Sequence, residues 1–539
     1  MSIETVLLLL PELTLILTAT SIYIAGAFRP ARGVWGWVAV AGLLLAAGAL
    51  YQQTAASQAA VNEFPEFESF GPLALDAAGR IDGLGIYARW LALAAGLVLV
   101  LTASRPADDV QEPEFIGTLL LAISGTMLVA GARELVLLFL GIELISIPTY
   151  VLLYLGRRDR ASPEAAVKYF FLSILSSALT LYGFSFLYGL GGSTELASLS
   201  TALAQSEAGP VGSEALAAVA LVLVFAGLGF KIAAVPFHFY APDVYQGTTN
   251  GNAGVLAVLP KIAGMIALTR IVAAAMPGMN LFDWQITTVL TVLAALTMTL
   301  GNVLALWQDN VRRLLAYSSI AHAGYMLVGL AVGTVADQAG DSPALDGMGA
   351  MLFYLAVYVL ATAGTFAALT YLGGRERQID GVDELAGLGR THPRTAVAIA
   401  VFMFSLAGIP PLAGFWGKFT IFASAFAFGL SGGKSPGPEQ VWFLALAVVG
   451  VLNAAVAAAY YLRIIATMYF RAPLATVRAE GGFGAAFAAV ACALVVVGLG
   501  FMPGSLVNDA HQASQAARTV PAVPAVVRAG GDVGVVAAP

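Results

Sequence analysis

Apolar stretches near the length needed for a helix to cross a bilayer, ~20 residues, recur along the whole chain. They lie at 5–27, 34–51, 84–102, 115–131, 134–155, 164–189, 215–245, 253–276, 284–306, 313–335, 347–372, 394–429, 440–469 and 483–503. Polar residues collect in the connections between them. The pattern predicts fourteen membrane spans. Two stretches, 215–245 and 394–429, are over-long for a simple span, and both carry proline and glycine in the middle.

The connections set the orientation. With the N-terminus outside, the odd-numbered loops face the cytoplasm. They hold Arg29, Arg32, Arg105, Arg157, Arg158, Arg160, Arg312, Arg313, Arg375, Arg377, Arg390, Arg394, Arg471 and Arg478, against Arg80, Arg133 and Lys434 in the opposite loops. Fourteen against three is the asymmetry that the positive-inside rule asks for, and one missed span would scramble it. The largest outer loop, with Glu63, Glu66, Glu68, Asp76 and Asp82, is acidic. Residues 1–28 contain no Lys or Arg, so they lack the positive region of a cleaved signal and read as a first span. From Gly504 the chain is rich in Ala and Val without a clear amphipathic repeat. It is predicted as a poorly ordered outside tail.

Spans 4–8 and 9–13 form two blocks of five. Five is odd, so the second block enters the membrane with opposite polarity, and each block has its over-long, broken span in fourth place. Paired interruptions of this kind point to an inverted-repeat transport fold. The fold class expected is therefore an all-α polytopic transmembrane bundle with two inverted five-helix repeats. The segments are a three-span part at 1–111, repeats at 112–277 and 278–472, a last span at 473–503 and the tail at 504–539.

Composition agrees with a membrane protein: 59% of residues are hydrophobic and 11% charged, where soluble domains hold about 25% charged. Net charge is −6, and no basic cluster suggests nucleic acid. Cys492 is the one cysteine, which excludes a disulfide framework, a CxxC pair or a cysteine-ligated metal. The four histidines are far apart in sequence, so no metal ligand spacing is visible.

The cations are segregated by type. Four of the five lysines, Lys168, Lys231, Lys261 and Lys418, fall inside apolar spans, whereas nearly all the arginines sit in loops or near span ends. Arginine stays protonated in proteins, but a desolvated lysine can give up its proton. A path that hands protons along needs the second type, and a charge at the bilayer centre costs at least ~2.5–3.5 kcal/mol. Glu143 in span 5 lies ~20 Å from the arginine-rich loop, and Lys231 lies ~24 Å from the outer start of span 7. Both are deep enough to meet near mid-membrane, where separating the pair would favour proton release from the lysine. The alternative is a static ion pair that fixes helix packing. Intramembrane ionisable residues are functional by default. Lys168 lies only ~5 residues into its span and could snorkel to the cytoplasmic edge.

Proline marks the breaks. Pro236 follows Lys231 by five residues, and Pro410 and Pro411 precede Lys418 by seven. Proline removes a backbone donor and frees a carbonyl, which in lipid must be satisfied by neighbours or water. A broken helix beside a buried lysine, found twice, suggests internal water, while a packing kink is the bland reading. His322, mid-span, suits a relay between lysines or an interhelical hydrogen bond. His238 lies just past the break, and Glu12 and Glu134 read as interfacial.

PFHFYAPDVYQGTT after the span-7 lysine, ALWQDNVRRLLAYSSIAHAGYMLVG around span 10 and SLAGIPPLAGFWGKF in span 12 resemble the antiporter-like N-subunit family of bacterial proton-pumping NADH:quinone oxidoreductase, respiratory complex I. The resemblance runs from about span 4 through span 13. The related M subunit typically has Glu where Lys418 stands, and the L subunit carries an added lateral helix. The resemblance implies that Glu143 and Lys231 are the span-5 and span-7 charge pair, Lys261 the connecting residue, Lys418 the terminal residue and Lys168 the span-6 lysine. TTNGNAGVLAVLPK departs from the family's usual proline-containing, PAPV-like stretch. The implied activity is proton translocation in the bacterial inner membrane, both termini outside, with antiporter-like and small membrane subunits and lipid as partners. No cofactor is implied in this chain; NAD, FMN, iron–sulfur clusters and quinone belong to partner subunits. Two alternatives stand beside this: a subunit of a multi-subunit cation/proton antiporter, and a structural anchor.

Overall fold

The computed structural model describes residues 3–28, 33–63, 82–103, 111–156, 161–207, 212–275, 283–335, 346–373, 378–431, 437–474, 477 and 479–518. Many of the loop arginines counted above lie outside the described residues. The spans are α1 (Leu10–Phe28), α2 (Trp35–Glu63), α3 (Gly83–Ala103), α4 (Glu112–Gly131), α5 (Leu135–Gly156), α6 (Ala161–Gly191), α7a (Ser213–Lys231), α8 (Asn250–Ala275), α9 (Asp283–Leu306), α10 (Val311–Gly333), α11 (Gly347–Leu372), α12b (Ala413–Leu430), α13 (Pro438–Phe470) and α14 (Gly482–Phe501). Fourteen helices are thus long and apolar enough to cross a membrane. Two shorter helices complete the broken spans: α7b (Tyr240–Gly247) after α7a, and α12a (Pro393–Ala407) before α12b. No strand occurs among the described residues.

Burial divides the bundle into a centre and a ring. α8 and α10 are buried along their whole length and α11 almost so. The outer helices present Leu140, Ile147, Phe171, Val222, Val292, Leu452 and Leu494 outward, as lipid contact requires, while their backbone bonds stay internal. Central helices approach closely because small residues let them. A Cβ on Gly324 of α10 would lie 2.4 Å from the Met298 backbone nitrogen of α9, a distance only glycine permits.

Three findings differ from the sequence expectation. Residues 504–518 form a helix, α15 (Gly504–Arg518), not a poorly ordered segment; residues 519–539 lie outside the described residues. One face of α15 converges on Asp346, the N-cap of α11: His511 Nδ1 lies 2.6 Å and Arg518 Nη2 3.4 Å from its carboxylate, and Ser514 Oγ donates at 2.8 Å. The buried positions Ala510, Ala513, Ser514 and Ala517 are spaced at helical intervals, and small residues make that amphipathic face easy to overlook in the sequence. Second, Glu12 is not interfacial but buried, paired at 2.7 Å with buried Arg89 of α3. Third, where the PAPV-like stretch is missing, the first turn of α8 is tied by asparagines: Asn250 Nδ2 donates to the Leu369 carbonyl at 3.2 Å, and Asn252 Nδ2 to the Leu152 carbonyl at 2.5 Å.

Candidate functional site

The breaks place lysine amines beside helix ends. α7a stops at Lys231, and Pro236 lies in the eight-residue gap before α7b. The Lys231 amine donates to Ser146 Oγ of α5 at 2.8 Å and to Ser173 Oγ of α6 at 2.9 Å. Glu143 is one turn from Ser146 on α5, is half-buried, and accepts from Ser177 Oγ, one turn from Ser173 on α6. Glu143 and Lys231 therefore share two serine-lined helices. They make no direct ion pair among the described residues.

α12a ends at Ala407, and Gly408 follows at φ +87°. That left-handed turn ends the helix cheaply only with glycine, and it lets the Lys418 stem lie against it. Pro410 and Pro411 fill the gap to α12b. The Lys418 amine donates at 3.1 Å to the Ala407 carbonyl, one of those left free by the break, and sits 4.9 Å from the centre of the Tyr325 ring. Tyr325 Oη accepts from Asn302 Nδ2 at 2.8 Å, and Asn302 is held by Tyr460 and Asn453.

Between the two breaks lie Lys261 of α8 and His322 of α10. The Lys261 amine donates to the backbone carbonyl of Ser319 and, at 2.5 Å, to its Oγ; Ser319 Oγ meets Tyr358 Oη at 2.7 Å. His322 is fully buried, with Nδ1 2.5 Å from Tyr354 Oη and Nε2 2.8 Å from Tyr461 Oη. Tyr461 in turn bonds Ser318 Oγ. Tyr354 and Tyr358 are one turn apart on α11, as Ser319 and His322 are on α10. The result is a buried file, Lys261–Ser319–Tyr358, then Tyr354–His322–Tyr461, then Lys418–Tyr325–Asn302. Hydroxyls that both accept and donate alternate with groups that bind or release a proton.

Lys168 is not part of this file. Its side chain is 45% exposed and pairs with Glu164 at 2.8 Å and Asp243 at 3.5 Å. It lines a cavity of about 350 Å³ with Glu164, Asp243, Gln246, Arg312 and Asp380. His238 is half-buried in the α7 break. The sequence reading missed the tyrosines and serines that surround the lysines and His322. Their signal was spacing: Ser146 follows Glu143 by three, and Ser173/Ser177 and Tyr354/Tyr358 are pairs four apart. No group of three or more metal-ligating side chains forms among the described residues.

Comparison with known proteins fits this geometry. Residues 132–432 match the family described as NADH:quinone oxidoreductase/Mrp antiporter, transmembrane. The NADH-quinone oxidoreductase subunit N of Rhodospirillum rubrum is 38% identical over 516 residues, 95% of this chain and 97% of that protein. A chain of respiratory complex I from Thermus thermophilus, solved with bound aureothin, superposes with TM-score 0.71 at 32% identity, covering 92% of this chain and 98% of that one. A chain of the Mrp complex from Dietzia sp. shares the fold, with TM-score 0.76 at 22% identity over 96% and 98%. With break-flanking lysines, a buried file of titratable groups and hydroxyls, and near full-length similarity to these relatives, the chain belongs to the subunit N family of NADH-quinone oxidoreductase, within the NADH:quinone oxidoreductase/Mrp antiporter membrane family.

Proposed function

We propose that the chain is the proton-translocating subunit N of a bacterial proton-pumping NADH:quinone oxidoreductase. The observation that carries this reading is the buried set itself: Lys231 on two serines at the α7 break, and a file of Lys261, His322 and Lys418 interspersed with hydroxyls that can both give and take a proton. Glu143 holds a proton on Lys231 while its charge is near. When that charge is withdrawn or neutralised, Lys231 releases its proton inward, and Lys261, His322 and Lys418 pass protons on in turn. Lys168 works at the arginine-rich edge rather than in the file. The 112–277 and 278–472 blocks act as inverted repeats, each with one broken span; the lysine ends the first segment of α7 and sits in the second segment of α12.

Redox chemistry then belongs to partner subunits, which hold NAD, FMN, iron–sulfur clusters and quinone, and this chain responds to their conformational or electrostatic change. Antiporter-like and small membrane subunits and lipid surround it in the plasma membrane, both termini outside. Cysteines introduced by Asp159→Cys and by Gln512→Cys, an exposed position of α15, report the orientation. Labelling of both from one side would overturn it. The deciding functional measurement is proton uptake per electron pair in the reconstituted native complex carrying Lys231→Ala. Loss of pumping with intact assembly is expected, and unchanged pumping would leave a structural anchor. The fold shared with the Mrp complex chain favours a second reading, a cation/proton antiporter subunit; sodium-for-proton exchange by the native complex would support that one.

A further inference from the structure

The Lys418 end of the file closes on two amides. Tyr325, whose ring centre lies 4.9 Å from the Lys418 amine, accepts at Oη from Asn302 Nδ2 at 2.8 Å. Asn302 Nδ2 also donates to Asn453 Oδ1 at 3.1 Å, and Asn302 Oδ1 accepts from Tyr460 Oη at 3.0 Å. Asn453 Nδ2 donates to Thr299 Oγ1 at 3.1 Å and to the Val449 carbonyl at 3.0 Å. Both asparagines are buried, Asn302 on α9 and Asn453 on α13. Adjacent tyrosines of α13 mark the border: Tyr461 Oη bonds His322 in the file, and Tyr460 Oη donates to Asn302.

The Val449 carbonyl fixes the direction of this network. A carbonyl only accepts, so the Asn453 nitrogen must face it and the Asn453 oxygen must face Asn302. Asn302 must then turn its own nitrogen to that oxygen and to Tyr325, which leaves its oxygen for Tyr460. Turning either amide over would set oxygen against oxygen. A hydroxyl accepts and donates at one atom and carries a proton by rotating. An amide donates at nitrogen and accepts at oxygen, so a proton offered to one atom does not leave from the other while the amide is held. Asn302 therefore holds Tyr325 without giving its proton a way on.

The pair stands between the file and water. Asn302 is four residues, ~6 Å along the helix, from Leu306 at the end of α9. There Arg463 donates to the Leu306 carbonyl at 3.5 Å and lies 3.6 Å from Asp309, which is 97% exposed. Beside Asn302, α9 meets α10 without room for a water: a Cβ on Gly301 would lie 2.6 Å from the Ala321 backbone nitrogen.

We propose that Asn302 and Asn453 form a proton seal that closes the Lys418 end of the file against the arginine-rich edge, so that a proton held at Lys418 does not return there directly. The inference rests on the proton-translocation reading above. A terminal lysine delivers its proton onward only if an aqueous edge this near cannot discharge it. The pair meets that need with groups that are hydrogen-bonded, as burial in a membrane requires, but do not titrate. Interhelical asparagines also pack helices. Packing alone predicts lost assembly on replacement and no change in proton permeability.

The experiment uses the native complex reconstituted in vesicles, carrying Asn302→Asp or Asn302→Leu. Passive proton entry down an imposed pH gradient is followed without NADH, then proton uptake per electron pair with NADH. Aspartate puts a group that takes and gives protons where the amide stood, and leucine does not. Positioned proton-transfer groups contribute ~10²–10⁴-fold, so the passive leak is expected to rise roughly tenfold or more in Asn302→Asp, with uptake per electron pair lowered. Asn302→Leu should stay as tight as wild type. Adding Lys418→Ala to Asn302→Asp should return the leak to the wild-type level, because the leak runs through Lys418. A wild-type leak in assembled Asn302→Asp would overturn the seal, as would an equal leak in Asn302→Leu or a leak that survives Lys418→Ala. If the carboxyl blocks assembly, the uncharged hydroxyl of Asn302→Ser takes its place with the same forecast; failure of both to assemble would assign the pair to packing and overturn the proposal. Lys418→Ala alone separates the two readings. Loss of uptake there keeps the relay reading even if the seal falls, and normal uptake would overturn both.

Discussion

Two sets of buried cations share this bundle and are treated in opposite ways. Arg89, Arg270 and Arg312 each meet a carboxylate: Glu12 at 2.7 Å, Asp82 at 2.7 and 2.8 Å through both nitrogens, and Asp380 at 2.5 Å. Lys231, Lys261 and Lys418 meet only hydroxyls, carbonyls and ring faces. A permanent cation away from water needs a permanent anion, and the pair then fixes geometry. A cation bonded to neutral groups can lose its proton and leave no charge behind, and a serine that accepted from the ammonium can turn and donate to the amine. In the proposed mechanism, the type of partner, not depth in the membrane, separates packing charges from working ones.

The largest effects are expected where that neutral environment is broken at its source. Lys231→Ala and Glu143→Gln should each largely abolish proton-coupled turnover while the complex assembles. Pumping at wild-type level in either assembled variant would remove both from the mechanism. Next comes Lys418→Arg, which turns a working site into the arginine kind. Arginine keeps the charge at every relevant pH, and the Ala407 carbonyl and Tyr325 ring still accept it. The variant should assemble and pump poorly. Normal proton uptake per electron pair would show that this lysine never releases its proton.

The arginine set predicts the reverse outcome, stability without chemistry. Glu12→Gln leaves Arg89 as an uncompensated buried charge, and breaking such a pair typically costs ~3–5 kcal/mol. Complex yield and thermal stability should fall, while the surviving complexes pump normally. Replacing both partners, Glu12→Gln with Arg89→Leu, should recover much of the loss, because the desolvated charge is gone. Normal stability in Glu12→Gln alone would contradict the packing role.

This division explains what could be read from the sequence. The fourteen spans were legible because burying a backbone in lipid demands long apolar runs, whatever their tertiary partners. The lysines were legible because a charge inside such a run stands out. Partners were not. Arg89 sits within α3 and Glu12 within α1, and nothing local says that they meet. Asp346 collects three side chains of α15 from more than 160 residues away; the helical spacing of Ala510, Ala513, Ser514 and Ala517 was present in the sequence, but the partner that gives it meaning was not. Tyr354, Tyr358 and Tyr461 look like ordinary aromatic spacing until the fold turns their hydroxyls onto Ser319 and His322.

The smallest effect is expected at Lys168, and it tests the rule at its edge. This lysine lies in an apolar run like the others, but only ~5 residues in, so the sequence alone leaves it between relay and edge. Its partners decide for the edge: Glu164 and Asp243 are carboxylates, and the side chain is 45% exposed. It therefore has arginine-type partners without burial. Exposed pairs contribute little, about 0.2–1 kcal/mol, and Asp243 keeps Arg313 when Lys168 is gone. Lys168→Ala should assemble and pump within about twofold of wild type, as that weak pairing implies. What remains of its role is the field at the cavity mouth, and salt screens such fields over ~10 Å at 0.1 M. The small difference from wild type should shrink further as ionic strength rises. A loss as complete as that of Lys231→Ala, and indifferent to salt, would place Lys168 in the relay despite its carboxylate partners, and partner type would no longer tell the two sets of cations apart.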